Sequence, residues 1–385
     1  MPAYRLTVTM LSPVHVGSGE EIDPLEYVVH CDGVGDDAEH TLYALDLSRL
    51  LGRLSAEQRR QFMQAADQKA LFYLRKFIRA HADLARDARW SVPCGQEVFD
   101  AYRKGLESDR SQLIINVMTR DQTTGAAYLP GSSIKGALRT AWISKMAAEY
   151  RGPVELEAID ETRGSADFEA VVLGYDTEVG QPQFDRRARR SALRVRHDIR
   201  ADPFRAVRVG DAQLCEMSNS VYATMIHKPR GYADDRAADG VRMYYDMTYC
   251  WLDGEDIAAT GRLVIDDRLA ARSTPDLRNW RFSHCVAGPI TAEALLAACN
   301  EFYRPRLQGE IERFPRLADA GHRLAAELEH LGPHEALVRL GRFSHVECVT
   351  VARRGGRPDR TGSTRTLAAG RALGWAKIGL VPLAG

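Results

Sequence analysis

A histidine followed by two glycines carries the first candidate chemistry of this sequence, in Pro13-Val14-His15-Val16-Gly17-Ser18-Gly19-Glu20-Glu21. Glycines let a backbone come close to a ligand. A histidine beside them can act as general acid or base in RNA cleavage, or serve as a structural or contact residue. The G-x-G lacks a third glycine and no helix is expected after it, so it is not a dinucleotide fingerprint. Asp23, close to Glu20 and Glu21, belongs to a group of carboxylates that can recruit a divalent metal or face water as a solvated loop.

Three further stretches are basic. In Leu129-Pro130-Gly131-Ser132-Ser133-Ile134-Lys135-Gly136-Ala137-Leu138-Arg139-Thr140-Ala141-Trp142, Ser132 or Ser133 is a ready N-cap, and Ile134, Leu138, Ala141 and Trp142 fall on one apolar helix face. Lys135 and Arg139, four apart, share a different face that is expected to meet solvent. Lys135 sits at the positive end of the helix dipole with no acidic neighbour in the sequence, an arrangement that a bound phosphate would relieve. A capped helix with solvated charges fits equally. The order is not that of a Walker motif, which argues against ATP hydrolysis. Between Gln181 and Arg208, nine arginines, Arg194, Arg205 and Arg208 among them, face three aspartates. Such a cluster suits phosphate contacts or a solvated loop. From Arg353 to Arg365, five arginines face one aspartate in a glycine-rich setting, and Gly374-Trp375-Ala376-Lys377 follows. Trp375 is a stacking platform for a nucleotide or a core residue.

The elements that must position these groups follow from periodicity. Strands are expected at 4–11, 25–29, 41–45, 112–117, 206–209, 244–251, 261–265 and 345–351. Helical spacing runs over 47–89, 133–150, 291–313 and 317–331, and nothing strongly periodic lies between 155 and 180. Strands and helices without regular alternation favour an α+β architecture. The halves share a loose pattern of strand, basic loop and helix, which suggests two related domains. We divide the chain into 1–215, with a helical insertion at about 47–110, and 216–385, with a Gly/Arg-rich tail.

Composition narrows the classes. The 385 residues are 45% hydrophobic and 27% charged, which is globular, and 52 basic residues balance 52 acidic ones. Of the basic residues 45 are arginine and 7 lysine, a skew that suits bidentate phosphate contacts and that GC-rich coding also produces. Apolar runs fall well short of the roughly 20 residues a spanning helix needs, so no membrane partner and a cytoplasmic location are expected. Seven scattered cysteines without C-x-x-C argue against a zinc ribbon or a disulfide framework. His330 and His334 straddle Gly332-Pro333 and cannot share a regular helix face. No cofactor or metal is expected.

Taken in order, Leu11 to Tyr27, Leu129 to Ala141, Asp202 to Asp211, Leu340-Gly341-Arg342 and Leu373-Gly374-Trp375 resemble the RAMP superfamily of CRISPR proteins, most closely the family of fifth subunits of type III-A Csm effector complexes. The resemblance implies two ferredoxin-like, RNA-recognition-type domains in a non-catalytic subunit. It would hold the 3′ part of a CRISPR RNA at one end of the Csm filament, beside the repeated backbone subunits, and help host ribonucleases trim the guide. The residues expected to contact RNA are His15, Gly17, Ser18, Gly19, Ser132, Ser133, Lys135, Arg139, Arg194, Arg205, Arg208, Arg365, Trp375 and Lys377. Backbone relatives cleave target RNA with an aspartate after the first glycine motif, and Asp23 lies in a similar place. The alternative is therefore an endoribonuclease using His15 or Asp23.

Overall fold

A computed structural model describes residues 1–383 apart from 34–37, 68–70, 109–112, 153, 157–158, 160–165, 181–182, 186–189, 216–217, 228–242, 250, 253–254, 267–289, 315–316, 318–323, 327, 345–347, 349–363 and 369. Its architecture is α+β, as the sequence suggests. The opening strand Ala3–Met10 alternates at period two, with Leu6, Val8 and Met10 buried and Arg5 exposed, so one face of it meets the core. It runs antiparallel between Ala258–Ile265 and Trp375–Pro382. The full sheet adds Glu335–Arg339 outside Trp375–Pro382, and Val207–Val209, Ala212–Gln213 and Tyr128–Leu129 on the other side. The helices Gly131–Glu149 and Ala292–Arg313 complete this core. Tyr303 ties them together, its hydroxyl donating to the Ala137 carbonyl at 3.1 Å.

A second sheet runs Gly17–Ile22, Ile115–Met118, Met243–Thr248, Asn219–His227, Arg365–Ala368 and Arg371–Ala372, with a single parallel pairing between Ile115–Met118 and Met243–Thr248. Strands from both sides of residue 215 share each of these sheets. A third sheet, Tyr27–Asp32, Glu39–Leu45 and Ala88–Pro93, holds the helices of the insertion between its last two strands. The segment read as a glycine loop continues as the strand Gly17–Ile22, and a helix, Ala166–Leu173, occupies part of the stretch that lacked periodicity. The expected strand at 345–351 lies outside the described residues except for Cys348, and of the expected helix at 317–331 the residues 324–326 and 328–329 are helical while 318–323 and 327 lie outside the described residues.

Residues 11–16 cross from the first sheet to the second and are pinned on both sides. Leu11 and Ser12 donate their amides to the Trp375 carbonyl, and the Ser12 hydroxyl accepts from the Trp375 amide. Val14 and Thr248 exchange hydrogen bonds, and Arg342 donates its amide to the His15 carbonyl. Gly341 makes that last contact feasible. Its φ is +77°, and a Cβ there would stand 2.1 Å from the His15 oxygen, so only glycine fits.

Candidate nucleic-acid interface

The crossing segment delivers His15 to the junction of the sheets, where it is 2% exposed. Its Nδ1 lies 2.7 Å from the Asp246 carbonyl. A carbonyl only accepts, so Nδ1 carries the proton, and in the neutral ring Nε2 keeps its lone pair. The edge-to-face contact with Tyr245, at 5.0 Å between centroids, holds the ring plane. Burial depresses the imidazole pKa below its ordinary value, and the nearby Arg342 charge adds to this against the opposing pull of Asp246. Asp246 itself is fully buried, with Arg120 on one carboxylate oxygen at 2.6 Å and Asn219 on the other.

His15 opens onto a cavity of about 500 Å³. Gly17 and Gly19 form one wall. Ser133, Gly136, Ala137 and Thr140, at i, i+3, i+4 and i+7 of the helix Gly131–Glu149, form another. Asn116, Tyr303, Arg339, Arg342 and Ser344 also contribute. Arg342 is exposed and makes no ion pair with any described carboxylate. Its Nη1 stands 3.5 Å from Asn116 Oδ1, and its guanidinium lies 5.6 Å from the Tyr245 ring. Glu20, the acidic residue of the lining, is paired with Arg89 at 3.3 Å. Arg339 is buried behind the cavity in a cluster centred on Glu310, which is 3% exposed. Both Glu310 oxygens accept from Arg339 at 2.7 and 3.0 Å, and one accepts from Arg365 at 2.7 Å. The Trp375 indole donates to the other at 3.2 Å.

Of the residues expected to contact RNA, the cavity gathers His15, Gly17, Gly19 and Ser133, with Ser18 exposed beside them. Arg194 and Arg205 are exposed and unpaired among the described residues, whereas Arg208 bonds Asp266 at 3.2 Å. Several expectations need correction. Neither Ser132 nor Ser133 caps the helix. It begins one turn position earlier, at Gly131, whose amide donates to Asp211 Oδ1 at 2.8 Å. Asp211 supplies across the fold the acidic partner that the local sequence lacks, so the helix end is already compensated. Lys135 and Arg139 do share a face, but it is half-buried over the Phe204 ring and does not line the cavity. Burial lowers the Lys135 pKa, while Arg139 is engaged by Glu169 at 2.9 Å and Asp202 at 2.7 Å. Trp375, expected to stack on a nucleotide, is fully buried and Arg365 is 2% exposed; both belong to the Glu310 cluster, because a sheet centre leaves no surface for RNA. Lys377 pairs with Glu335 at 3.3 Å. Arg186, Arg187, Arg189 and the arginines from 353 to 360 lie outside the described residues.

Asp23, the other candidate of the endoribonuclease alternative, directly follows the strand Gly17–Ile22. Its carboxylate accepts from the Leu25 amide at 2.6 Å and shapes the turn into Tyr27–Asp32. No group of three or more His, Cys, Asp and Glu side chains among the described residues is arranged to hold a metal. No described helix is long and apolar enough to cross a membrane. The residues that sequence reasoning missed are Arg342, Asn116, Thr140 and Ser344. For Arg342 the signal was the Leu-Gly-Arg triplet at 340–342, where a positive-φ glycine precedes the exposed arginine; Asn116, Thr140 and Ser344 carried no comparable signal.

Comparison with known proteins bears on this arrangement. The model of the RAMP superfamily matches residues 7–310. A curated relative, the CRISPR system Cms protein Csm5 of Mycobacterium tuberculosis (strain CDC 1551 / Oshkosh), is 29% identical over 154 residues, 37% of this chain and 39% of that protein. The protein of the same name from strain ATCC 25618 / H37Rv gives the same figures. The match therefore spans about two fifths of the relatives' length. A chain of the cryo-EM structure of a Csm–crRNA–target RNA ternary complex of a type III-A CRISPR-Cas system superposes with a TM-score of 0.65 at 19% identity, covering 98% of this chain and 100% of that one. The crystal structure of T. onnurineus Csm5 gives 0.61 at 19% identity, with 96% and 99% coverage. At these identities the structures show a common fold.

Proposed function

The chain belongs to the RAMP superfamily, and on that premise we propose that it is a non-catalytic, RNA-binding subunit of a type III-A Csm effector complex. In this reading it seats the 3′ part of the CRISPR RNA at one end of the filament, contacts the repeated backbone subunits, and supports guide trimming by host ribonucleases in antiviral defence. The sheet order 375–382, 3–10, 258–265 and 207–209, with the core helix Gly131–Glu149 lying in sequence between 3–10 and 207–209 and the core helix Ala292–Arg313 between 258–265 and 375–382, supports a ferredoxin-like unit whose strands are far apart in the chain.

The observation that carries the reading is the cavity at the sheet junction. It is walled by glycines and small polar side chains and has the unpaired Arg342 at its edge. Those features suit a sugar–phosphate backbone, which needs close approach and a cation more than it needs a nucleophile. The test is a titration of the purified chain with labelled repeat RNA, together with single-turnover cleavage assays with and without magnesium. Binding is expected without cleavage. Affinity should fall by about 10³ or more between roughly 50 and 200 mM salt if 6–10 phosphates are contacted. Cleavage that His15→Ala or Asp23→Ala abolishes would assign the chain to the endoribonucleases instead.

A further inference from the structure

We propose that His15 Nε2 accepts a hydrogen bond from the 2′-hydroxyl of one nucleotide seated in the junction cavity, so that this subunit distinguishes ribose from deoxyribose. The inference rests on the RNA-binding reading above and adds to it the group that is recognised. The ring is 2% exposed, yet it lines the cavity. Its Nδ1–H is committed to the Asp246 carbonyl at 2.7 Å. Nε2 has no hydrogen-bond partner among the described residues. The lone pair of Nε2 is therefore open to a donor that enters the cavity.

The geometry specifies the donor. Nε2 lies against the backbone of Gly17, where a Cβ would stand 2.7 Å away, so whatever bonds Nε2 must reach past a residue that has no side chain. A neutral imidazole lone pair accepts from O–H or N–H and does not attract a phosphate. The phosphate is left to Arg342, the exposed and unpaired cation of the same lining. A base is disfavoured because the lining offers no open aromatic face. Tyr303, its one aromatic residue apart from His15, is 1% exposed, with its hydroxyl donated to Ala137. Tyr245 packs against His15 itself and is absent from the lining. Ser133, Thr140 and Ser344 are hydroxyl neighbours suited to a sugar edge. Roughly 300–1,000 Å³ is the range of small-ligand sites, and a cavity of about 500 Å³ lies within it. The 2′-hydroxyl is the group by which a protein tells RNA from DNA at a given position.

The test uses the full chain and a guide-derived RNA in which single positions are changed in turn to 2′-deoxy. Wild type is expected to show one position where removal of the hydroxyl weakens binding about fivefold, in line with a neutral hydrogen bond of about 1 kcal/mol. His15→Phe should weaken the all-ribose RNA by a similar factor and should make the deoxy substitution at that position silent. The deoxy scan on wild type stands without the variant, so a His15→Phe chain that fails to fold does not remove the test. A flat scan on RNA that still binds would overturn the assignment and leave the RNA-binding reading intact. So would a position sensitive to base identity but not to the 2′-hydroxyl, or a deoxy cost that persists in His15→Phe. Absence of any RNA binding would overturn the underlying reading together with this one.

Discussion

Glu310 and His15 are both buried ionisable groups, and they meet that burden in opposite ways. Glu310 has its carboxylate enclosed by hydrogen bonds from two guanidiniums and an indole N–H. Its replacement in Glu310→Gln leaves Arg339 and Arg365 buried without that carboxylate, and a loss of about 3–5 kcal/mol in denaturant unfolding is expected. His15 stays neutral instead, its pKa lowered chiefly by burial. The unfolded histidine, near 6.5, therefore takes up a proton before the folded one does. The contribution of His15 to stability should be complete above about pH 6.5 and decline as pH falls below it. Melting curves from pH 8 to 5 check this, since wild type should lose stability relative to His15→Phe as the solution is acidified. That His15 belongs with Gly17 and Gly19 was legible in the sequence, because they are close neighbours in the chain and line one cavity. Glu310 was not, because nothing local separates a helical glutamate that faces solvent from one that faces a sheet centre, and the partners that decide its role come from residues 339, 365 and 375.

At the level of elements, the helix Gly131–Glu149 shows where spacing is informative and where it stops. The 3.6-residue period placed Ile134, Leu138, Ala141 and Trp142 in the core and put Lys135 and Arg139 on a common face, and both hold. Spacing alone could not say what covers each face. Phe204 and the acids Glu169 and Asp202 cover the basic one, and the cavity takes the stripe of Ser133, Gly136, Ala137 and Thr140. The two arginines of this region should consequently respond in opposite ways. Arg139→Ala strands two carboxylates and is expected to cost about 1–3 kcal/mol of stability. Arg342→Ala should leave the melting temperature close to wild type while lowering the slope of log affinity against log salt by about one. Calorimetry and salt titrations on the pair distinguish them, and equal effects of the two substitutions on RNA binding would contradict this division. The strands Gly17–Ile22 and Asn219–His227 escaped the sequence reading for another reason. The first is mostly exposed, so it lacks the alternation of a one-faced strand, and the second runs its apolar residues together at 221–223 and 225–226 without a clean period of two.

Across the whole molecule, the α+β class was legible because strands and helices differ in period, while the interleaving was not, because pairing between distant strands leaves no local mark. Residues 1–215 expressed alone should fail to give cooperative unfolding or dispersed amide spectra. The opening strand would lose both of its neighbours, and Ile115–Met118 would lose its parallel partner. A well-folded 1–215 fragment would contradict that expectation. The same pairing has a consequence for biosynthesis. The strand Ala3–Met10 is completed on one side only after residue 264 has been made and on the other only after residue 382. Until then its apolar edge and unpaired amides are open to any other extended chain. Closing so long a span is entropically slow. The first sheet should accordingly form late, once residues 375–382 are available, and the interval before it is when a chaperone has most to protect.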